Sequence, residues 1–212
     1  MASKHRTKTK LTSTPGTGAM AGVGRGHGGG AAAPGPDAPR VAVVVSRYNA
    51  TVTDRLLAGA LGELSRAGVP ERHVEVFDAA GSFEVPQIVG AALSSGRFEC
   101  AVALGCIIKG ETKHDEFLGA SVTDRLLEIS LATGCAVGLG VLTVNSNAQA
   151  VARAGGKLGN KGAEAASAAL LTHAEMVRAM GQRTLGMTAA EAVAADGRAA
   201  RPDKLARKGG RR

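Results

Sequence analysis

Residues 100–108 read Cys-Ala-Val-Ala-Leu-Gly-Cys-Ile-Ile, a run of nine positions without a charged side chain. An apolar run that does not alternate with polar residues is typical of a strand covered on both faces of a sheet. Shorter apolar segments at 41–45, 74–77 and 136–142 predict three further strands. The ordered part of the chain is therefore predicted to be built around one buried sheet.

Helical patterns separate these strands. Residues 51–54 (TVTD) fit a capping box, and Leu57, Leu61 and Leu64 follow at helical spacing. Further helices are predicted from Pro86 to about Ser95, from about Phe117 to Gly134, over 145–154 and over 162–180. Strands that alternate with helices predict an α/β domain with right-handed crossovers, in which a four-stranded parallel sheet carries helices on both faces.

The carboxyl ends of the strands are where such a sheet binds its ligand. Those ends are predicted at 46–49, 79–84, 106–114 and 143–147. We therefore expect the chemistry of the chain to lie in these four segments.

The net charge is concentrated in two tails. The 212 residues carry 26 Lys and Arg against 18 Asp and Glu, a formal charge of +8 and a pI near 9.9. Residues 1–40 hold six basic residues and one acid, and residues 183–212 hold eight basic residues and three acids, which leaves −2 on the middle. We predict a disordered basic Gly/Ala/Pro-rich tail at 1–40, a folded domain at 41–182 and a basic tail at 183–212 that is disordered or partly helical.

Several classes of protein are excluded by missing signals. No stretch reaches the roughly 18 consecutive apolar residues of a membrane span. No apolar core follows the basic N-terminus as in a secretory signal, so we expect a cytoplasmic protein, with organellar import through the N-terminal tail as a minor alternative. Neither a P-loop nor a cluster with metal-ligand spacing is present. Cys100, Cys106 and Cys135 lie in or beside apolar runs, which indicates buried, reduced thiols.

The segment 105–115, Gly-Cys-Ile-Ile-Lys-Gly-Glu-Thr-Lys-His-Asp, is the strongest candidate for a functional site. It joins a strand end to a helix start, where backbone N–H groups and the helix dipole favour an anion. Thr112 adds a hydroxyl donor, and His114 can move protons near neutral pH. From local sequence alone, a solvent-facing histidine at the start of a helix is an equally good interpretation.

The segment 153–162, Arg-Ala-Gly-Gly-Lys-Leu-Gly-Asn-Lys-Gly, carries three cations and four glycines. Glycines let the backbone approach an anion closely, and Arg153 offers a bidentate guanidinium. The alternative is a flexible, solvated loop between two helices, which is the commoner meaning of such a string.

Two shorter segments also follow strands. In 46–49 (Ser-Arg-Tyr-Asn), Tyr48 offers a ring face to a planar ligand, and Asn49 offers a donor and an acceptor. In 82–84 (Ser-Phe-Glu), the Glu84 carboxylate can accept hydrogen bonds from a polyol. Alternatively, Glu84 simply caps the helix that follows.

Together these segments resemble a known family. VVVSRYN…TDRLLAGAL from Val43, GSFEVP from Gly81, ALGCIIKGETKHDEF from Ala103 and GVLTVN…QAVARAGGKLGNKG from Gly140 closely resemble lumazine synthases (6,7-dimethyl-8-ribityllumazine synthases). The resemblance spans nearly all of 41–180, so that 41–182 is interpreted as a lumazine synthase-like catalytic domain. Four motifs in the right order are highly specific, whereas GSFE or RAGGK alone would mean little.

The resemblance implies a flavodoxin-like three-layer α/β/α sandwich, assembled into homopentamers with active sites between adjacent subunits. It implies a transferase of riboflavin biosynthesis that condenses 5-amino-6-(D-ribitylamino)uracil with 3,4-dihydroxy-2-butanone 4-phosphate, releasing phosphate and water. It implies no metal and no redox cofactor.

By motif position, the resemblance assigns the first substrate to three segments. Tyr48 would stack on the pyrimidine ring, with Asn49 beside it. The backbone that would bind the pyrimidine edge belongs to Cys106, Ile107 and Ile108. The residues that would hold the ribityl chain are Ser82, Phe83 and Glu84.

The second substrate is assigned in the same way. The amides of Glu111 and Thr112 would hold its phosphate, and His114 would shuttle protons during imine formation, elimination and ring closure. Arg153 would reach in from the neighbouring subunit to pair with the phosphate, and Lys161 belongs to the same loop.

The chain departs from the family pattern at two positions. Leu139 stands where many members carry a Phe that covers the heterocycle from the adjacent subunit, so we expect weaker or one-sided stacking. Ala163 replaces an aromatic residue, which predicts a packing change. The joint 155–162 is uninterrupted, as in relatives that build icosahedral shells, and this predicts shell assembly.

The basic tails leave an alternative function open. The chain would then be a lumazine synthase-like shell or binding protein whose tails hold nucleic acid or other anionic cargo. A flavin or nicotinamide oxidoreductase ranks last, because no phosphate fingerprint follows the first strand.

Overall fold

Four parallel strands form the central sheet of the computed structural model, which describes residues 38–180. The strands are β1 (Val41–Ser46), β2 (Val74–Ala79), β3 (Cys100–Ile108) and β4 (Ala136–Val144), in the spatial order β2-β1-β3-β4. The predictions for a tail at 183–212 and for residues 1–37 of the N-terminal tail lie outside the described residues. The predicted bounds of β3 are confirmed at both ends.

Five helices and a small hairpin connect and cover these strands. The helices are α1 (Ala50–Arg66), α2 (Val85–Ser94), α3 (His114–Thr133), α4 (Asn147–Arg153) and α5 (Lys161–Met180). A short 3₁₀ turn, Glu71–His73, precedes β2, and an antiparallel hairpin of β5 (Ala154–Gly156) and β6 (Gly159–Asn160) joins α4 to α5. No helix within 38–180 is long and apolar enough to cross a membrane.

The alternation of side chains along β1 divides the core into two layers. Val41, Val43 and Val45 pack with α1 and α5, whereas Ala42 and Val44 pack with α2 and α3. All five side chains are fully buried, and complete burial of a valine stabilises the fold by about 1.5–3 kcal/mol. The fold is therefore the predicted three-layer α/β/α sandwich of flavodoxin-like type.

The start of α1 differs from the predicted capping box. Asn49 adopts a left-handed conformation (φ 62°), and its carbonyl accepts hydrogen bonds from the amides of Val52 and Thr53 at 2.9 and 3.1 Å. The helix consequently begins at Ala50, and Thr51 lies inside its first turn rather than capping it. The capping-box prediction is wrong because the backbone carbonyl of Asn49 already serves the first amides.

A close contact between α1 and α5 depends on a glycine. A Cβ atom at Gly162 would lie 2.0 Å from the Leu56 carbonyl oxygen, so no larger residue fits without moving a helix. Asn160 holds the same junction, because its Oδ1 accepts from the amide of Gly162 at 2.8 Å while its Nδ2 donates to the Arg55 carbonyl at 2.8 Å. The joint between α4 and α5 is thus tied to α1 and is not the flexible loop of the alternative interpretation.

Candidate active site

A cleft of about 500 Å³ opens at the carboxyl end of the sheet. The strand order reverses between β1 and β3, and this switch point is where open α/β sheets bind ligands. The cleft lies at the predicted edge of the sheet. The predicted site residues that line it are Tyr48, Asn49, Ser82, Phe83, Glu84, Cys106, Ile107, Ile108, Thr112 and His114.

Four predicted site residues lie outside this lining. Glu111 is exposed in the loop before α3, and Leu139 lies on the edge strand β4 with 48% of its side chain exposed. Arg153 ends α4, where its guanidinium donates to the Gln149 carbonyl at 3.2 Å. Lys161 forms an ion pair with Glu164 at 2.5 Å. The structure does not bring these residues into the cleft of their own chain.

The strand β3 extends past its neighbour β1 into the cleft. Pairing of β1 with β3 ends at Val45 and Leu104, whereas pairing of β3 with β4 continues to Ile108 and Val144. The overhang, residues 106–108, therefore presents a strand edge on its β1 side. Asn49 Nδ2 donates to the Cys106 carbonyl on that side at 3.0 Å. Main-chain donors and acceptors along such an edge can pair with a planar heterocycle as they would with a strand.

Two aromatic rings flank the cleft with their faces free. The side chain of Tyr48 is 70% exposed and that of Phe83 is 59% exposed. The turn that carries Tyr48 is fixed by Arg47, which pairs with Asp54 at 2.9 Å and with Asp78 at 2.5 Å. A planar ligand would cover apolar surface on these rings.

The turn before α2 places two polar side chains in the cleft. Glu84 immediately precedes α2, but its side chain makes no capping hydrogen bond, so the interpretation of Glu84 as a simple helix cap is wrong. Ser82 is buried, and a Cβ atom at Gly105 would come within 2.8 Å of its Oγ. Gly105 therefore makes room for the Ser82 hydroxyl beside β3.

His114 begins α3, as the sequence predicts, and its side chain is exposed within the cleft. Its backbone amide donates to Thr112 Oγ1 at 3.4 Å, which holds the loop 109–113 against the helix start. The helix dipole of α3 adds positive potential at this end of the cleft. An exposed imidazole beside an anion-favouring helix start can pass protons to and from a bound phosphorylated compound.

The cysteine thiols are not nucleophiles. All three are free; Cys100 and Cys106 are buried, as predicted, whereas Cys135 is only half-buried. Burial raises the pKa of Cys106 from 9.0 to about 11 and that of Cys100 to about 12. Because the thiolate is the reactive form, both groups are inert at neutral pH.

The sequence interpretation missed Asp115, which lines the cleft and is only 9% exposed. Lys109, Gly110, Gly81 and Leu118 also line it. The sequence did carry a signal for Asp115, because position 115 lies three residues before Leu118, on the face of α3 that packs against the sheet. Within the described residues, no group of three His, Cys, Asp or Glu side chains could hold a metal ion.

Comparison with known proteins gives one consistent result. The family model described as 6,7-dimethyl-8-ribityllumazine synthase matches residues 38–179. A 6,7-dimethyl-8-ribityllumazine synthase of Anaeromyxobacter dehalogenans is 45% identical over 141 residues, which are 66% of this chain and 86% of that protein. Proteins of the same name from Halorhodospira halophila and Rhodopirellula baltica are each 44% identical, over 68% and 66% of this chain and 89% and 87% of their own lengths.

Proposed function

Since the chain belongs to the 6,7-dimethyl-8-ribityllumazine synthase family, we propose that the cleft between β1 and β3 is its active site. The chain is a transferase of riboflavin biosynthesis. It condenses 5-amino-6-(D-ribitylamino)uracil with 3,4-dihydroxy-2-butanone 4-phosphate to give 6,7-dimethyl-8-ribityllumazine, phosphate and water. The family relationship does not favour the alternative of a binding protein for anionic cargo.

One observation carries the assignment of the site: a single cleft combines a strand edge, exposed rings, a polyol acceptor and a proton carrier. The edge of residues 106–108 matches a pyrimidine, whose own edge alternates donors and acceptors. Tyr48 stacks on the ring, and Asn49 fixes the position of that strand edge through the Cys106 carbonyl. These groups follow the ends of three strands, β1, β2 and β3, which hold them at fixed distances.

The ribityl chain is assigned to the turn before α2. The carboxylate of Glu84 makes no helix-capping hydrogen bond, and it accepts hydrogen bonds from ribityl hydroxyls. Ser82 contributes a buried hydroxyl, and Phe83 supplies an apolar wall. This turn therefore favours binding of the substrate over analogues that lack the polyol.

The phosphate of the second substrate is assigned to the start of α3. The amide of Thr112, which lines the cleft, and the helix dipole favour the dianion there, and the amide of Glu111 is proposed to join them although Glu111 lies outside the lining. His114 carries protons as the amine condenses with the ketone, as phosphate leaves and as the second ring closes. General acid–base catalysis of this kind is worth about 10²–10⁴-fold, and holding the two partners together contributes the remainder.

Arg153, Lys161 and Leu139 act, in this proposal, in the cleft of a neighbouring subunit. They lie outside the cleft of their own chain, while the large side chains of Phe117, Leu127 and Leu131 are exposed along α3. A groove of about 620 Å³ between α2 and α3 adjoins the cleft at Phe83. Exposed apolar surface of this kind marks an interface, and homopentamers would bring the Arg153 loop of one chain to the cleft of the next.

The enzyme assay tests the site. Purified protein mixed with both substrates should generate the absorbance and fluorescence of the lumazine. Arg153→Ala should raise the KM for the phosphorylated ketone about 10- to 100-fold, because a bidentate charged hydrogen bond to phosphate is lost. Arg66→Ala is the matched control, since Arg66 also ends a helix and, within residues 38–180, its ion-pair partner is Glu63. Equal KM values for the two variants would show that Arg153 does not bind the phosphate.

The larger assembly is tested by light scattering. The hairpin between α4 and α5 is short, and we propose that pentamers join into an icosahedral shell, as expected for an uninterrupted joint. A mass of sixty chains is expected at working concentration. A mass of five chains under the same conditions would contradict the shell and leave the pentamer.

A further inference from the structure

Asp115 is a buried carboxylate in the cleft with an unused oxygen. The residue is 9% exposed, and it lines the cleft together with Ser82, Glu84 and His114. Its Oδ1 is fully buried, and no hydrogen-bond partner for it exists among the described residues. A buried carboxylate without a donor is costly, and because Asp115 lines the cleft, a turn of its side chain can bring this oxygen to a donor on a ligand bound there.

Its place on α3 makes the choice of residue informative. Leu118, Val122 and Leu126 follow Asp115 on the face of the helix that packs against the sheet, and all three contribute to the core on that side. An apolar side chain at 115 would continue this stripe without a desolvation cost. The stripe instead begins with a charge, which indicates that a function outweighs packing at this position.

The helix dipole does not account for Asp115. An acid in the first turn of a helix is stabilised by the dipole, and Glu116 already supplies one there. Glu116 is exposed and lies outside the cleft lining, so it gains that stabilisation without being buried. Burial of a second acid, facing the cleft, needs another reason.

We infer that Asp115 is a further substrate-binding residue, whose carboxylate accepts a hydrogen bond from a hydroxyl of the ribityl chain. This inference rests on the proposed function of the cleft. The phosphate of the second substrate is excluded as its partner, because a carboxylate repels a phosphate. A polyol is uncharged and carries several donors, so it can serve Glu84 and Asp115 at the same time.

Two substitutions separate this role from packing. Asp115→Leu removes both acceptor oxygens and continues the apolar stripe, and Asp115→Asn keeps one oxygen at nearly the same size. Asp115→Leu should raise the KM for the ribityl substrate about 10- to 100-fold, the value of a hydrogen bond to a charged group. Asp115→Asn should have a smaller effect. The KM for the phosphorylated ketone should stay within about twofold of the unsubstituted chain in both variants.

The matched control is Glu116→Gln, which also removes an acid from the first turn of α3. It should leave both KM values unchanged. A 5-amino-6-alkylaminouracil without hydroxyls provides a second control, because the Asp115→Leu variant should bind it as well as the unsubstituted chain does. Thermal unfolding should show Asp115→Leu to be at least as stable as the unsubstituted chain, since an unpartnered charge has left the interior.

Three results would overturn the inference: equal KM values for Asp115→Leu and Glu116→Gln, an equal loss with the hydroxyl-free analogue, or a selective loss for the phosphorylated ketone. Failure of the proposed function is a different result, namely no lumazine from the unsubstituted chain. In that case, calorimetric titration of the ribityl substrate into the unsubstituted chain and Asp115→Leu still decides the role of Asp115.

Discussion

Asn49 and Cys106 lie 57 positions apart in the chain and are joined by a hydrogen bond of 3.0 Å from Nδ2 to the carbonyl oxygen. The bond links the end of β1 to the overhang of β3 at the floor of the cleft. Asn49 also holds the left-handed conformation from which α1 starts. One asparagine thus fixes both a helix start and the strand edge that faces the substrate.

Asn49 should tolerate only glycine without backbone strain. Asn49→Gly loses the hydrogen bond, worth about 1 kcal/mol. Asn49→Ala loses the same bond and adds the left-handed penalty of an ordinary residue, about 1–2 kcal/mol. In urea unfolding, the free energy of unfolding should therefore be highest for the unsubstituted chain, lower for Asn49→Gly and lowest for Asn49→Ala. Equal stability of the glycine and alanine variants would contradict the strain.

The contact between α1 and α5 should not tolerate even one added methyl group at Gly162. Gly162→Ala would place a methyl group against the Leu56 carbonyl and should destabilise the chain by about 1–3 kcal/mol or more. Gly62→Ala is the matched control, because a Cβ atom there meets nothing within 4 Å. It should stabilise the chain by about 0.5–1 kcal/mol, through helix propensity alone. Thermal melts of the two variants should shift in opposite directions.

Mixed assemblies should recover activity if adjacent chains share each site. In that case, His114→Asn damages the cleft of its own chain, whereas Arg153→Ala damages the cleft of its neighbour. Pentamers refolded from an equal mixture should regain about a quarter of the activity of the unsubstituted protein, because that share of clefts combines an intact His114 with an intact Arg153.

The control for this experiment is the same two variants, assembled separately and then combined. They should show only the sum of their residual activities. If Arg153 instead serves the cleft of its own chain, the refolded mixture will recover nothing beyond that sum.

Alkaline pH should destabilise the fold through its thiols. Burial raises the pKa of Cys106 to about 11 and that of Cys100 to about 12, above the ordinary 9.0. Above pH 9 the unfolded chain loses these protons first, so the stability that is fully present below pH 9 is lost as the pH rises towards 12. Urea unfolding between pH 8 and 11 should show a shallower decline for Cys106→Ala. An unchanged slope would show that this thiol does not contribute.

Most of the sheet was predictable from sequence because fully buried strands leave an uninterrupted apolar run. The bounds of Cys100–Ile108 agree at both ends, and the helix that starts at His114 was expected there. Strand ends then follow from topology, and three of the four segments named from them line the cleft, whereas 143–147 does not. The apolar run and the switch point together account for this success.

The buried face of α1 was only partly predictable. The leucine spacing suggested Leu57, Leu61 and Leu64, whereas the helix buries Val52, Leu56, Ala60 and Leu64. The small Ala60 is buried there, and Leu61 stays exposed. A leucine is a stronger apolar signal than an alanine, but close packing between helices favours the smaller side chain.

The hairpin β5–β6 left no recognisable signal. Three of its five strand residues are glycines. Two of them, Gly155 and Gly159, have positive φ angles of 89° and 77°, which occur in many kinds of turn. Asp115 escaped for another reason, because a polar residue at a helix start is usually solvated. Its spacing from Leu118 and its burial are what distinguish it from Glu116.

In the proposed site, the overhang of β3 places recognition of the heterocycle in the main chain. Since the Cys106 carbonyl points into the cleft and strand geometry repeats every two residues, Ile108 presents its peptide groups on the same side. Substitutions at 106–108 that preserve the buried packing of Cys106 and Ile107 leave that main-chain pattern intact. A one-residue deletion within β3 would turn the pattern over and present the wrong groups. In this proposal, specificity for the heterocycle thus depends on the length of β3 rather than on the identity of a side chain.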